Sequence, residues 1–577
     1  MAIATIRSMM DRRRGGSSPR HLGGHIDSLD VASITTLVII GALYRMTGFT
    51  RSNLWFDDAW AAMTSKVSLG TAMHMVATTP LYSLGMRSWI LAGPSSTVWA
   101  QLPAFLLGLI GIVAIFFVSK EFGFGRMGRC LMAVAIVLGP VAAAYSMRVK
   151  EYSADLVLAC LLLIVAERWR RSPSGRSLVA WTSLSIVSVA ISASVGVVVA
   201  GTALMMVLVG VKHRDQRRQL VLAGCSLAGA GVVLYLVWFR NVAASLDGNW
   251  RNHGYLLDLR GFHPLWHSIV ATGSNFAHGL FGLPVPWSPY PLETLALTVA
   301  SAVVGWGLLT VILVVVIREL LTGHRQRVAP FVAPAIVVGL AVVLWAIDRI
   351  PLGGGRTDEV LYPAVLLLLG FSCARASSLV RSKIVIVDRA VRRPATGMIA
   401  AGVAACGLVA FGVGHRIEYP TTDLTSLAAS LHKHLAPGES IVVDGFESFP
   451  WGYAGLSKTA VSFSAVGVVW PQGYHLISLS PRVVMSQSYL GPDDQIRSLS
   501  QKTRSIWFVG ATNASFSGAT PVGLRVFPMQ SNTLNALLAL GWRFEGLPLS
   551  APGVYAAHLS FAGTQRQAPA VSDPSAP

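Results

Sequence analysis

Long apolar runs recur along the first three quarters of the chain, and a polar pattern of helices and strands follows them. About 20 consecutive apolar residues are needed for a helix to cross the roughly 30 Å hydrocarbon core of a bilayer. Runs that approach this length predict about eleven membrane-spanning helices, at 31–48, 98–118, 130–147, 153–167, 178–192, 195–211, 220–239, 292–317, 331–347, 360–374 and 395–415. Ser192, Ser194 and Gly196 predict a tight hairpin between the fifth run and the sixth.

The pattern changes near Glu418, where helical and strand-like segments begin to alternate. DLTSLAASLHKHLAPGESIVVDG is typical of an amphipathic helix, a Pro-Gly turn and a buried strand. RSIWFVGAT and GVYAAHLSF are typical of strands, and SNTLNALLALGW is typical of a helix. The pattern therefore predicts a helical transmembrane domain followed by a soluble α/β domain. The predicted parts are a basic arm (1–30), the transmembrane domain (31–415), the α/β domain (416–562) and a disordered tail (563–577).

Composition and charge agree with a membrane protein and give it an orientation. Only 13% of the 577 residues are charged, about half the share of an ordinary soluble protein. Nearly all of the net charge of +19 falls on the N-terminal arm and on short loops along one side of the predicted spans. The positive-inside rule places that side in the cytoplasm, which predicts a cytoplasmic N-terminus and an extracytoplasmic α/β domain. Because topology accounts for the excess charge, we expect no nucleic-acid partner.

The first polar cluster follows span one, in the segment RSNLWFDDAW, where Asp57 and Asp58 lie beside three aromatic residues. A carboxylate held partly out of water at this depth is suited to act as a general base toward a hydroxyl. The alternative is structural, with the two carboxylates capping a helix and the aromatics forming an interfacial belt. The residues alone leave both interpretations open.

The second cluster, AAYSMRVKEYSADL, lies between spans three and four. Its basic residues Arg148 and Lys150, together with Tyr152, suit a lipid phosphate, and Asp155 follows one turn later. The alternative is that long charged side chains at two helix ends reach out to the membrane interface. The third cluster, DRIPLGGGRTDEVLYP, places Arg356 after three glycines, which suits an anionic head group or a plain turn.

Other chemistries have little support in the sequence. No Walker motif, GxGxxG or HExxH stands out. The loop at 240–291 carries four histidines and three tryptophans, but their spacing fits aromatics and histidines lying on the membrane better than a compact metal site. We therefore expect no metal ligand and no soluble nucleotide site.

Taken in order, these motifs resemble the C-type (GT-C) membrane glycosyltransferases. Within that class, the chain resembles the bacterial branch that is related to protein O-mannosyltransferases and to the lipid A aminoarabinose transferase. This branch is similar to glycosyltransferase family 39. In that branch the first outer loop carries an Asp-Glu pair after Leu-Trp and then a Pro-Pro-Leu-Tyr-Tyr-like segment. Asp57-Asp58 and Thr79-Pro80-Leu81-Tyr82 stand in those places here. YSMRVKEYSADL resembles the branch's segment ending in Lys-Gln-Tyr-Ser, and GGGRTDEVLYP resembles its late Arg…Pro signature.

The resemblance implies an enzyme in the plasma (inner) membrane of a bacterium that transfers a sugar from a polyprenyl phosphate to a hydroxyl, with inversion at the anomeric carbon. The acceptor is a cell-envelope glycan, a lipid or a protein, and the donor lipid phosphate is the leaving group. No cofactor is expected, although some members of the wider superfamily use a divalent metal.

Each site residue takes a role from the resemblance. The base is Asp57 or Asp58, and Lys150 and Arg356 hold the departing phosphate, which offsets charge in the transition state. Arg148 and Tyr152 assist at the phosphate, and Asp155 and Tyr82 orient donor or acceptor.

Two further hypotheses come from other functional classes. A transporter or lipid flippase also needs many helices and buried charges, but its charged or broken helices usually lie near the midplane, often in repeated halves. A non-catalytic assembly factor for envelope glycan would use the α/β domain as a binding module. Loss of function on changing Asp57 and Asp58 would separate the enzyme from the assembly factor.

Overall fold

The structure is a computed structural model. It describes residues 27–49, 53–54, 56–66, 69–74, 78–94, 96–210, 214–237, 257–281, 292–321, 328–347, 349–352, 358–383, 423–436, 439–443, 445–454, 476–480, 483–486, 503–511, 534, 537–538, 540–551 and 553–562. The predicted span 395–415, Arg356, most of the basic arm and the predicted tail lie outside the described residues.

Helices dominate the described part of the chain up to residue 383. They are α1 (Ser28–Met46), α2 (Phe56–Met63), α3 (Leu69–His74), α4 (Pro80–Leu91), α5 (Thr97–Glu121), α6 (Arg126–Leu138), α7 (Pro140–Tyr145), α8 (Tyr152–Arg171), α9 (Gly175–Ile191), α10 (Gly196–Gly210), α11 (Arg214–Val237), α12 (Phe262–Phe281), α13 (Leu292–Leu321), α14 (Val332–Ala346) and α15 (Tyr362–Lys383). Short 3-10 helices, Ala329–Phe331 and Glu359–Leu361, precede the last two. A helix covers most of nine of the first ten predicted spans, and two helices share the span 130–147.

Two features of this helical part differ from the sequence prediction. The run 130–147 is divided into α6 and α7, because Pro140 lacks the N–H that would continue the hydrogen-bond ladder. The segment expected to lie on the membrane as a loop contains a 20-residue helix, α12. The hairpin predicted around Ser192 is confirmed, since α9 ends at Ile191 and α10 begins at Gly196.

Five helices among the described residues are long and apolar enough to cross a membrane by length and composition. They are Ser28–Met46, Thr97–Glu121, Gln216–Leu236, Ala302–Glu319 and Ala329–Ala346, and Gly175–Ile191 and Gly196–Gly210 are shorter apolar helices. Large apolar side chains point outward along them, such as Leu222 (68% exposed) and Val303 (65% exposed). Such surfaces are unfavourable in water and favourable in lipid, so the helices support a membrane location.

The chain forms two compact units. The first contains residues 1–49, 79–82 and 102–418, and the second contains residues 50–78, 83–101 and 419–577. The second unit therefore joins the loop after span one, which the sequence analysis assigned to the transmembrane domain, to the C-terminal region. Its elements from residue 423 onward are α16 (Leu424–His434), α17 (Gly445–Ala454), β1 (Ser440–Val443), β2 (Leu476–Ser480), β3 (Val483–Ser486), β4 (Ser505–Ala511), β5 (Trp542–Ala551) and β6 (Val554–Phe561).

These six strands form one mixed sheet in the order β2-β3-β1-β4-β6-β5. The three strands β3, β1 and β4 are parallel, and the remaining pairs are antiparallel. Apolar side chains of α16 and Trp451 of α17 pack with one face of the sheet, and Leu534, Leu537 and Trp542 pack with the other. The predicted helix at 424–434 and the predicted strands around 441, 507 and 557 are confirmed.

Candidate functional site

The acidic pair lies in the first turn of α2, an eight-residue helix. Asp58 is completely buried, whereas Asp57 is partly exposed. Carboxylates in the first turn interact favourably with the free N–H groups and the positive end of the helix dipole, which explains why a helix begins here. The helix-capping interpretation therefore has structural support, and the burial of Asp58 adds a carboxylate held out of water.

The other end of α2 is held by side-chain hydrogen bonds. The Thr64 hydroxyl donates to the Ala61 carbonyl and the Ser65 hydroxyl donates to the Ala62 carbonyl, both at 2.7 Å. The Arg87 guanidinium, on α4, donates to the Thr64 carbonyl. These contacts satisfy carbonyls that a helix end leaves without an intrahelical donor, so the C-terminal end of this short helix is fixed.

The second predicted cluster lies at the start of α8 in the first compact unit. Lys150 is 6% exposed and Asp155 is fully buried. Arg148 and Tyr152 are half-buried, and the Tyr152 ring meets the Tyr145 ring edge-on, with 4.9 Å between centroids. The alternative that these side chains reach out to the membrane interface does not describe Lys150 or Asp155, because both are buried within the protein.

Asp155 is held by the hairpin between α9 and α10. The Ser194 hydroxyl donates to Asp155 Oδ2 at 2.5 Å, and the Ser192 and Ser194 hydroxyl oxygens are 2.8 Å apart. Thr79, in the segment that resembles the second family motif, donates to the Ile191 carbonyl at the end of α9. Tyr82, three residues further on, is 7% exposed. The hairpin thus holds Asp155 on one side and contacts the Thr79 segment on another.

Residues beside Arg356 bring the second and third clusters together. Asp358 and Glu359 are fully or almost fully buried, and Glu359 interacts electrostatically with both Asp155 and Arg45. Tyr362, one turn later, is 1% exposed and interacts electrostatically with Glu359. A set of buried ionisable groups from α1, α8 and the start of α15 therefore converges within the first unit.

Sequence reasoning missed Arg45, Glu359 and Tyr362. The signal for Arg45 was present, because a charged residue near the end of an apolar span is costly unless it has partners. Among the described residues, Asp155 Oδ1, Glu359 Oε1 and Tyr362 Oη are buried without a hydrogen-bond partner. Buried polar atoms are nearly always paired in proteins, so these three oxygens are free to meet groups of a ligand or water.

The described residues contain no group of three or more His, Cys, Asp or Glu side chains arranged to hold a metal ion. The buried carboxylate of Asp155 accepts a hydrogen bond from the Ser194 hydroxyl, and that of Glu359 interacts electrostatically with Arg45 and with the carboxylates of Asp155 and Asp358. Within the first unit, the arrangement offers carboxylate and phenol oxygens that hydrogen-bond hydroxyl groups, and a buried ammonium group at Lys150. The second unit separately holds the buried carboxylate of Asp58.

No protein-family model matches the chain, and no curated protein matches it. Among solved structures, the crystal structure of ArnT from Cupriavidus metallidurans in the apo state is 14% identical, with a TM-score of 0.39, over 92% of this chain and 98% of that chain. The same protein bound to undecaprenyl phosphate is 13% identical, with a TM-score of 0.37, over 92% and 97%.

A cryo-EM structure of the arabinofuranosyltransferase AftD from Mycobacteria, the R1389S mutant, is 15% identical, with a TM-score of 0.40. That match covers 94% of this chain and 42% of AftD. All three TM-scores lie below 0.5, so these likenesses establish neither the fold nor the activity of this chain.

Proposed function

We propose that this protein transfers a sugar from a polyprenyl-phosphate donor to a hydroxyl acceptor at the outer face of the membrane. The observation that carries the proposal is the burial of Lys150, which the resemblance assigns to the donor phosphate, and of Asp58, one of the two carboxylates from which the resemblance leaves the base to be chosen. Ionisable residues are rarely retained within membrane proteins without a function, because burying them is costly. The order of the motifs along the chain supports glycosyl transfer over other uses of buried charge.

In the proposed reaction, the carboxylate of Asp57 or Asp58 takes the proton of the acceptor hydroxyl. The acceptor oxygen forms a bond to the anomeric carbon as the bond from that carbon to the phosphate oxygen breaks. The electron pair leaves with the lipid phosphate, and the configuration at the anomeric carbon inverts. Lys150 and Arg356 stabilise the negative charge that develops on the departing phosphate, and Arg148 and Tyr152 assist them.

The buried oxygens of Asp155, Glu359 and Tyr362 suit the hydroxyl groups of a sugar. Carboxylate oxygens accept hydrogen bonds, and a phenol both donates and accepts, so together they match a polyhydroxy ligand better than a phosphate. Asp155, Glu359 and Tyr82 are therefore proposed to orient the donor sugar or the acceptor. This division places sugar recognition on the acidic groups and phosphate recognition on the basic ones.

The proposed topology follows the charge pattern, with a cytoplasmic N-terminus and an extracytoplasmic C-terminal domain. The acceptor is a cell-envelope glycan, a lipid or a protein, and the reaction as proposed uses no nucleotide. A lipid flippase is the second candidate, because the buried Arg45, Asp155 and Glu359 would also suit passage of a polar head group.

Lys150 gives a direct test of phosphate recognition. We expect Lys150→Met to lower kcat/KM for sugar transfer from a polyprenyl-phosphate sugar by about 10²-fold or more, because the developing phosphate charge loses a buried cation. Lys150→Arg should retain much of the activity, and Lys433→Met, at an exposed position of α16, serves as the matched control. Equal kcat/KM in wild type and Lys150→Met would contradict the assignment, and donor movement across vesicles without transfer would favour the flippase.

A further inference from the structure

The helix that carries Asp57 and Asp58 belongs to the same compact unit as the C-terminal sheet. It packs against α17 (Gly445–Ala454), about 390 residues away in sequence. Ala59, Ala62 and Met63 are at most 1% exposed, so α2 has a closely covered apolar face. A helix of eight residues is unstable alone, and its geometry therefore depends on what covers that face.

Two polar contacts join the same parts of this unit. The Thr425 hydroxyl, on α16, lies 3.4 Å from the side-chain oxygen of Asn53, which is 4% exposed and precedes α2. After α2, the Lys66 ammonium lies over the Tyr453 ring of α17, 5.5 Å from its centroid. Contacts to C-terminal residues therefore occur both before and after the acidic pair.

Tyr453 is suited to hold this contact. Its side chain is 6% exposed, and burial raises the pKa of its hydroxyl to about 12. The phenol therefore stays neutral, and its ring presents a face that attracts the Lys66 cation. Together with the Arg87 contact to Thr64, the ring fixes the segment after α2 from two sides.

We propose that α17 is a positioning element for Asp57 and Asp58, acting through Tyr453 and Lys66 within the second compact unit. The proposal rests on the proposed function for its catalytic consequence. A displacement of about 1 Å in a reacting group lowers a rate by about 10²-fold, so a domain that fixes α2 controls turnover without touching substrate.

Hydrogen exchange in the purified full-length protein tests the positioning without any assay of activity. We expect Tyr453→Ala to raise exchange of residues 56–66 at least about tenfold, because α17 loses the buried ring that lies under Lys66 at the end of this segment. Strands β4 and β6 should keep their protection. Tyr453→Phe should match wild type, and Tyr235→Ala, at an exposed position of α11, controls for loss of a tyrosine. Unchanged exchange of 56–66, or equal loss in β4 and β6, would overturn the proposal.

Kinetics then test the catalytic consequence. Lys66→Met should lower kcat by about tenfold or more with KM for the lipid donor unchanged, and Lys66→Arg should restore kcat because it keeps the cation over the ring. A change in KM alone, or a failure of Lys66→Arg to restore kcat, would overturn the positioning role. If wild type shows no transfer, the proposed function fails, while the exchange experiment still decides whether α17 positions α2.

Discussion

At the residue scale, Arg45 shows how a buried charge compensates for a break in a helix. Pro140 cannot donate the N–H that would bond the Ile136 carbonyl four residues earlier. The Arg45 guanidinium takes that place, donating to the Ile136 carbonyl at 2.9 Å and to the Val137 carbonyl at 3.2 Å. Because Arg45 also interacts electrostatically with Glu359, the same side chain links the break in the helix to the buried acidic groups.

Glu439 is a second residue whose partners decide its behaviour. It accepts hydrogen bonds from the Ala436 N–H at 2.8 Å and the Trp507 indole at 3.1 Å, and His558 Nε2 lies 2.7 Å away. Burial alone would raise the pKa of this carboxyl, but the bonds from Ala436 and His558 outweigh it and leave the pKa below its ordinary value of 4.5. The ionised form is therefore the one that the fold stabilises.

This lowered pKa predicts the acid sensitivity of the sheet. The contribution of ionised Glu439 to the stability of the sheet is fully present above pH 4.5. This contribution is lost as the pH falls through the lower pKa that Glu439 has in the folded state. Glu439→Gln should lower the free energy of opening of the sheet by about 1–3 kcal/mol at neutral pH. The substitution should also weaken the dependence of that free energy on pH. Exchange protection of β4 and β6, corrected for intrinsic rates, measures both effects.

Glu545→Gln is the matched control, because Glu545 faces the other ring nitrogen of His558 but is 51% exposed. We expect Glu545→Gln to lower the free energy of opening of the sheet by less than about 1 kcal/mol. An equal effect of the two substitutions would contradict the account of Glu439.

At the element scale, α12 and α13 cross at a glycine contact. A Cβ on Gly305 would lie 2.2 Å from the Gly273 carbonyl oxygen, whereas a Cβ on Gly307 would meet nothing within 4 Å. Gly305→Ala must therefore separate the two helices, and we expect it to lower stability by about 1–3 kcal/mol. Gly307→Ala should be neutral or stabilising by up to about 1 kcal/mol, because alanine favours a helix. Thermal unfolding of the purified variants measures the difference, and an equal loss in both would contradict the close crossing.

The elements that could be predicted from sequence are those with a long or regular pattern. Apolar length located the helices that cover the first ten runs, and alternating patterns located α16, β1, β4 and β6. A helix beginning at the acidic pair was one of two interpretations, and the sequence left both open because eight residues give too short a period to decide between them. Helix α12 was missed because His263, His267 and His278 interrupt its apolar pattern.

At the scale of the whole molecule, the contacts that matter most join distant parts of the chain. Asp155 and Glu359 were each visible in a polar segment, yet nothing in the sequence indicated that they interact. Nor did the apolar pattern show that the segment 50–78 shares a compact unit with the C-terminal sheet. Such pairings depend on tertiary packing, which a single sequence does not display.

The central claim concerns the acidic pair of α2. The direct measurement is sugar transfer by purified protein from a panel of polyprenyl-phosphate sugars, comparing wild type with Asp57→Asn and Asp58→Asn. The account predicts that wild type transfers a sugar from at least one donor. It also predicts that one Asn variant loses about 10²–10⁴-fold in kcat, the contribution of a general base, while still binding donor. No transfer from any donor, or wild-type kcat in both variants, would contradict it.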